Sequence, residues 1–385
     1  MFHVVIILLM LLLPSGLSHG AEPITVGVSL GLTGQYSAFA QQQKRGFELW
    51  QKDVNGRGGI LGRPVKLFVH DDKSDPQIAK SLYRQMIDTE KVDFLFGPYS
   101  TRLTAAILPW TEKRRFPVLI SGAAGDTLWE RGYHYAVGIY TPASDFTAGF
   151  FELLVKANLD DIAILETDDP FSQNLAWSAG ELAKRYGLRV KFAASLKNGC
   201  PTMEDMVRRV RKSGAGVLVL CGHLAESVKM RLALKGLHWY PAAFYAATGP
   251  SLPAFHTRLG DEANLVFSTT VWNPKVNFPG SQRFLNEYVA TFHERPDYHA
   301  AVAYAAGEVL NAAIQSVGGI DPERVRAALF KLDTMTIIGR FGIDRTGRQI
   351  RQATFVFQWQ NGKTEIVWPE TVQTARPKFG VVPKE

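Results

Sequence analysis

Phe94 to Asp126 reads FLFGPYSTRLTAAILPWTEKRRFPVLISGAAGD. Two apolar runs of strand length lie in it, Phe94-Leu95-Phe96 and Pro117-Val118-Leu119-Ile120, and each reads as a strand opening into a strand-to-helix turn. Gly97-Pro98 closes the first. Ser100 or Thr101 then caps the apolar-periodic stretch Leu103 to Trp110, the pattern of a helix. The second run opens onto Ser121-Gly122-Ala123-Ala124-Gly125, small residues that let a ligand approach the backbone closely. In a parallel sheet such turns lie together at the carboxyl edge, where open α/β folds bind ligands. Hydroxyls and free N–H groups there suit an anionic head group such as a carboxylate. One such turn alone reads as an ordinary capped turn. Two adjacent turns, both rich in hydroxyls and small residues, point to a binding site.

The same grammar extends along the chain. Ile24 to Leu30 reads as a strand, Gly31 to Tyr36 as a turn, and Ser37 to Asn55 as a helix stopped by Gly56-Arg57-Gly58-Gly59. Val65 to His70 is the second strand and Pro76 to Thr89 the second helix. Alternation with short connections continues to about Phe267, which argues for an α/β chain with parallel sheets. Helices are expected from about Ser281 to His293 and Tyr298 to Val317, and Asp321-Pro322 starts another. Beyond it, Gly339 to Ile343, Ala353 to Trp359 and Lys363 to Trp368 read as hairpin strands, with turns at Thr346-Gly347 and Asn361-Gly362.

A length of 385 residues gives room for two domains, each with a sizeable core. Hydrophobic content of 46% and charged content of 21% describe a soluble globular protein rather than a disordered one. The net charge of +7 is scattered; its densest clusters, Lys113-Arg114-Arg115 and Arg208 to Lys212, read as solvated helix faces and not as a nucleic-acid surface. Val4 to Leu13 is an unbroken apolar run, followed by Pro14 and then Ser18-His19-Gly20. It is short for a membrane span and reads as a signal peptide over residues 1–20, although Met1-Phe2-His3 has no basic residue. Export permits a disulfide between Cys200 and Cys221 if the strands before them are neighbours; two free thiols is the other reading.

Catalytic patterns are missing. Asp71-Asp72, Asp160-Asp161 and Asp168-Asp169 are adjacent acids, which a strand points to opposite faces. No histidine pair has metal spacing, and neither a G-x-S-x-G elbow nor a Walker loop occurs. No enzyme activity, cofactor or metal is expected.

Several of these pieces resemble the Leu/Ile/Val-binding proteins, type I periplasmic substrate-binding proteins of ABC importers. Gly58-Gly59-Ile60-Leu61-Gly62-Arg63-Pro64-Val65 followed by Asp71-Asp72-Lys73-Ser74-Asp75-Pro76 is similar to a specific signature of that family. Ser100 and Ser121-Gly122-Ala123-Ala124 resemble its ligand-binding turns, and Thr141 to Asp145 its first crossing. The resemblance implies two doubly wound parallel-sheet lobes joined by a three-segment hinge. Residues 21–141 plus 272–335 would form lobe 1, and 142–271 plus 336–385 lobe 2. It implies an exported, periplasmic monomer that binds a small carboxylate-bearing ligand and meets a membrane permease, not nucleic acid. The site carried over comprises Tyr36, Tyr99, Ser100, Ser121, Gly122, Ala123, Gly125, Asp145, Phe171 and Trp272. The hydroxyls of Ser100 and Ser121 with the N–H groups of Ala123 and Gly125 would hold a carboxylate, and Asp145 an ammonium. Three positions depart from the family's amino-acid binders: Gly125 replaces a Thr, Phe171 a Tyr, and the turn Thr248-Gly249-Pro250 lacks a Glu. An amino acid is the first expectation. An aromatic or other amine-free carboxylate is the alternative, and a sensory module of the same fold is the rival function.

Overall fold

The computed structural model describes residues 22–197 and 202–380. Its first sheet is built from β1 (Ile24–Leu30), β2 (Val65–Asp71), β3 (Phe94–Phe96), β4 (Val118–Ile120) and β5 (Ala136–Gly138). The strands are parallel and run in the order β2-β1-β3-β4-β5. The crossovers are α1 (Ser37–Gly56), α2 (Pro76–Asp88) and α3 (Thr101–Lys113). The turn after β4 leads into a short 3-10 turn at Asp126–Leu128 and then β5, so only the first of the two opening turns starts an α-helix.

The second lobe begins with α4 (Ala148–Lys156) and continues through β6 (Asp161–Thr167), α5 (Pro170–Arg185), β7 (Arg189–Leu196), α6 (Met203–Lys212), β8 (Val217–Cys221), α7 (Leu224–Gly236), β9 (Ala243–Ala246), α8 (Pro253–Leu259) and β10 (Val266–Thr270). The chain then returns to lobe 1 as α9 (Ser281–Phe292), α10 (Tyr298–Val317), α11 (Pro322–Leu329), β11 (Thr334–Thr336) and β12 (Gly339–Phe341). It ends in lobe 2 with β13 (Phe355–Gln360) and β14 (Lys363–Trp368), which complete a seven-stranded sheet in the order β14-β13-β10-β9-β8-β6-β7. Only β13 runs against the other strands, so its pairings with β10 and β14 are antiparallel and the rest are parallel.

Several sequence expectations are corrected here. β12 pairs with β11 and not across Thr346-Gly347. The third crossing falls beyond Gln349 rather than at residue 336. Gly138 N donates to Gly347 O at 2.8 Å, and the Gln349 amide donates to Ile139 O at 3.2 Å, which keeps this segment on lobe 1. Asp145 lies in a 3-10 turn ahead of α4, whose N-cap is Thr147. β6 separates β7 from β8, so the strands before the two cysteines are not neighbours. Cys221 is buried; Cys200 lies outside the described residues, as does the expected signal peptide. Among the described residues no helix is long and apolar enough to cross a membrane.

The two signature stretches have structural work to do. In the first, Ile60 bridges to Arg63 through a turn with Leu61 and Gly62 at positive φ, and the Arg63 guanidinium donates to Glu22 O and Pro23 O, fixing the start of β1. In the second, Asp71 accepts from Thr33 N and Oγ1, and Asp72 accepts from Ser29 Oγ (2.7 Å) and Ser74 N (2.9 Å). Ser74 Oγ in turn donates to Thr33 O and accepts from Tyr36 N (3.1 Å). The turn carrying Tyr36 is therefore tied to the end of β2. Behind the sheet, α1 packs on the alanine-rich α10 at close range: a Cβ on Gly307 would fall 2.1 Å from the Trp50 ring.

Candidate ligand-binding site

β3 and β4 are neighbours, so the turns that follow them meet at the carboxyl edge of lobe 1. Ser100 N donates to Gly122 O at 2.8 Å and locks the two turns together. Ser100 caps α3, its Oγ accepting from Leu103 N, and holds φ +86°, a conformation that costs a non-glycine residue about 1–3 kcal/mol. Gly122 is the residue that allows this contact: a Cβ there would lie 2.7 Å from Pro98 O and 2.9 Å from Tyr99 Cα. The N–H of Ala123 makes no hydrogen bond within the described chain. Ala123 lines the same cavity as Ser100.

Opposite these turns, lobe 2 presents the carboxyl edge of its own sheet. Phe171 comes from the first turn of α5, His223 is the N-cap of α7, and Thr248 follows β9. Tyr140 stands where the chain first crosses. Together with Tyr99, Ser100, Thr101, Gly122, Ala123 and Ala124, these residues line one cavity between the lobes. The lobes meet around it: the His223 ring lies 5.6 Å from Tyr36 and 5.9 Å from Phe39, and Asp126 N donates to Asn174 Oδ1 at 2.8 Å.

Among the described residues, no carboxylate side chain lines the cavity. Its rings are those of Tyr99, Tyr140, Phe171 and His223. Burial raises the phenols of Tyr99 and Tyr140 far above their ordinary values, so both are neutral donors. Tyr36, behind Tyr99, is pushed up to about 12 by burial and then by the nearby Asp169 charge. Burial alone would raise Asp169 as well. The His223 imidazole and the Ser172 and Thr167 hydroxyls outweigh burial and hold this carboxyl well below the usual range. It caps α5, accepting from Phe171 N and Ser172 N, and lies 3.3 Å from His223 Nε2.

Of the residues expected from sequence, the cavity gathers Tyr99, Ser100, Gly122, Ala123 and Phe171. Tyr36 and Ser121 sit one layer behind, Ser121 Oγ accepting from the Gln43 amide at 3.4 Å. The N–H of Gly125 is already given to Thr101 Oγ1 at 3.0 Å, so it is not an anion donor. The Asp145 side chain is exposed and outside the lining, which removes it as a buried partner for an ammonium. Trp272 lines a separate cavity at the second crossing, where its Nε1 donates to Ser281 Oγ at 2.8 Å. His223 was missed. Its signal was present in Val217-Leu218-Val219-Leu220-Cys221-Gly222-His223, a buried strand, a small residue and a polar residue before a helix.

The sequence pattern of the periplasmic binding protein family matches residues 23–364. The chain belongs to the periplasmic binding protein family. It is 25% identical over 379 residues to Leu/Ile/Val-binding protein homolog 7 of Brucella suis, covering 92% of this chain and 95% of that one. The fold matches the branched-chain amino acid transporter substrate-binding protein LivJ of Streptococcus pneumoniae, solved with isoleucine, at a TM-score of 0.82 and 20% identity. That match covers 90% of this chain and 100% of LivJ. A solute-binding protein of an R. palustris ABC transporter, solved with benzoate, matches at a TM-score of 0.78 and 16% identity, covering 90% of this chain and 95% of that one. The two-lobed α/β architecture of this periplasmic binding protein is thus the expected one, with the hinge corrected as above.

Proposed function

We propose that this chain is the exported substrate-binding component of an ABC importer, and that it closes over an aromatic carboxylate for delivery to a membrane permease. One observation carries the ligand class: the cavity has aromatic rings from both lobes and no lining carboxylate among the described residues. An amino acid brings an ammonium, and burying it without an anion is costly. An aromatic acid brings only the carboxylate, which the Ser100 hydroxyl and the Ala123 N–H would receive. Hydrogen bonds to a charged group contribute about 1.5–3 kcal/mol each, and the ring faces of Tyr140 and Phe171 suit an aromatic body. Because the lining comes from both lobes, the ligand stabilises the closed arrangement more than the open one, and that difference drives closure. The chain binds without turnover, as a monomer, in the periplasm after cleavage near Gly20.

A branched-chain amino acid is the second reading, favoured by the isoleucine held by LivJ. A thermal-shift screen of benzoates, branched-chain amino acids and benzamides separates the two, because a ligand of the native state raises the melting temperature. Benzoates are expected to give the shift, with Asp145→Asn leaving it unchanged. A shift from leucine or isoleucine alone overturns the aromatic reading.

A further inference from the structure

Resting on that reading of the cavity, a second inference concerns the wall opposite the carboxylate end. His223 is its most polar residue. The imidazole is boxed by rings from both lobes, 5.6 Å from Tyr36, 5.9 Å from Phe39 and 5.7 Å from Phe171. Its Nε2 lies 3.3 Å from Asp169 Oδ2, though not aligned as a hydrogen bond. Asp169 is ionised and already accepts from two backbone N–H groups and the Thr167 hydroxyl. A carboxylate has no proton to give, so the nitrogen facing it carries the hydrogen, and in that tautomer the lone pair stands on Nδ1. That Nδ1 is buried and has no partner in the described chain.

We infer that His223 is a specificity-determining residue whose Nδ1 accepts a hydrogen bond from a hydroxyl on the ligand's ring, so that the site selects hydroxylated aromatic acids. Discrimination arises on closure. Tyr36 and Phe39 of lobe 1 lie against His223 when the lobes meet, and water is kept from Nδ1. A ligand without a donor leaves a buried acceptor unpaired, a cost that a correctly placed hydroxyl removes. A ring ether, which only accepts, gains nothing. Asp169 acts through His223 as a positioning residue by fixing which nitrogen carries the proton.

The test is calorimetry on the mature protein with benzoate, the three monohydroxybenzoates and 4-methoxybenzoate. At least one hydroxy isomer is expected to bind about tenfold more tightly than benzoate, and the methoxy compound no more tightly. His223→Phe keeps the ring box and should abolish the hydroxyl preference, read as the ratio of hydroxybenzoate to benzoate affinity. Asp169→Asn preserves the helix cap, since Asn caps as well as Asp, and should also shrink the preference at unchanged benzoate affinity. Equal affinity for benzoate and every hydroxy isomer, or a preference that survives His223→Phe, overturns the inference while leaving the aromatic-acid reading intact. Binding of leucine with no aromatic acid bound defeats the reading beneath it.

Discussion

Gly122→Ala is the substitution that the site geometry constrains most. The new Cβ would lie 2.7 Å from Pro98 O, 2.9 Å from Tyr99 Cα and 2.9 Å from the Gln43 amide nitrogen. Two of these neighbours are backbone, so relief requires the turn after β3 to move away from the turn after β4 by about half an ångström. Overpacking of this kind costs about 1–3 kcal/mol. The separation also weakens the Ser100 N to Gly122 O bond, another 0.5–1.5 kcal/mol or so. With an unfolding entropy of about 2 cal/mol/K per residue, a loss of about 2–4 kcal/mol in a chain this long lowers Tm by roughly 3–5 °C. Ligand affinity should suffer more than stability. Ser100 and Ala123 stand on the two turns being parted, and a carboxylate needs both. At least a tenfold loss is expected, since one such hydrogen bond is worth about 1.5–3 kcal/mol. Scanning calorimetry and isothermal titration on the same sample measure both effects. Unchanged affinity with the expected fall in Tm would refute the placement of the carboxylate between these turns.

Other expectations follow from the same contacts. Asn174→Ala removes the acceptor for Asp126 N, a bond between the lobes, and should raise Kd about 2–10-fold through a faster off-rate with little change in Tm. Stopped-flow dissociation checks this; an unchanged off-rate contradicts it. Gly307→Ala drives a methyl into Trp50 behind lobe 1, far from the cavity, and should cost about 1–3 kcal/mol of stability with ligand Kd unchanged. Urea titration and calorimetry read both effects, and a weakened Kd would show that α1–α10 packing reaches the site. Burial pushes the Glu308 carboxyl up from 4.5 to about 7, although Ile337 N donates to it. A raised folded pKa gives stability that is full below the unfolded value and is lost as pH rises through about 7, here about 3 kcal/mol. Glu308→Gln keeps an acceptor for Ile337 N without the charge, so its stability should fall less than wild type between pH 5 and pH 8. Parallel pH profiles would contradict this.

Sequence made the lobe-1 wall legible because local rules decide it. A strand that ends in Gly-Pro and a serine cap, beside one that ends in Ser-Gly-Ala-Ala, specifies two turns at one sheet edge whatever the rest of the chain does. The acidic signature at Asp71 to Asp75 was legible as turn chemistry, and its bonds to Thr33, Ser74 and Tyr36 show why it matters to the cleft. Lobe 2 was harder to read. Which of its strand ends face the cavity depends on sheet order and on the crossing angle, and neither is written in local pattern. His223 sat in the right grammar, but nothing near it in sequence says that Tyr36 and Phe39 will close over it. Asp145 looked available because it follows a crossing, yet the 3-10 turn leaves its side chain exposed. The Gly125 N–H looked free until Thr101 folded back to take it. The third crossing was misplaced because residues 337–349 hold to lobe 1 through tertiary bonds to α10 and β5.

A crystal structure of the mature protein with the best ligand from the screen tests the central claim most directly. The account predicts closed lobes, with the ligand carboxylate bonded to Ser100 Oγ and Ala123 N and its ring between Tyr140 and Phe171. A ligand whose carboxylate lies against lobe 2, or which occupies the cavity beside Trp272 and Asp297, would contradict it.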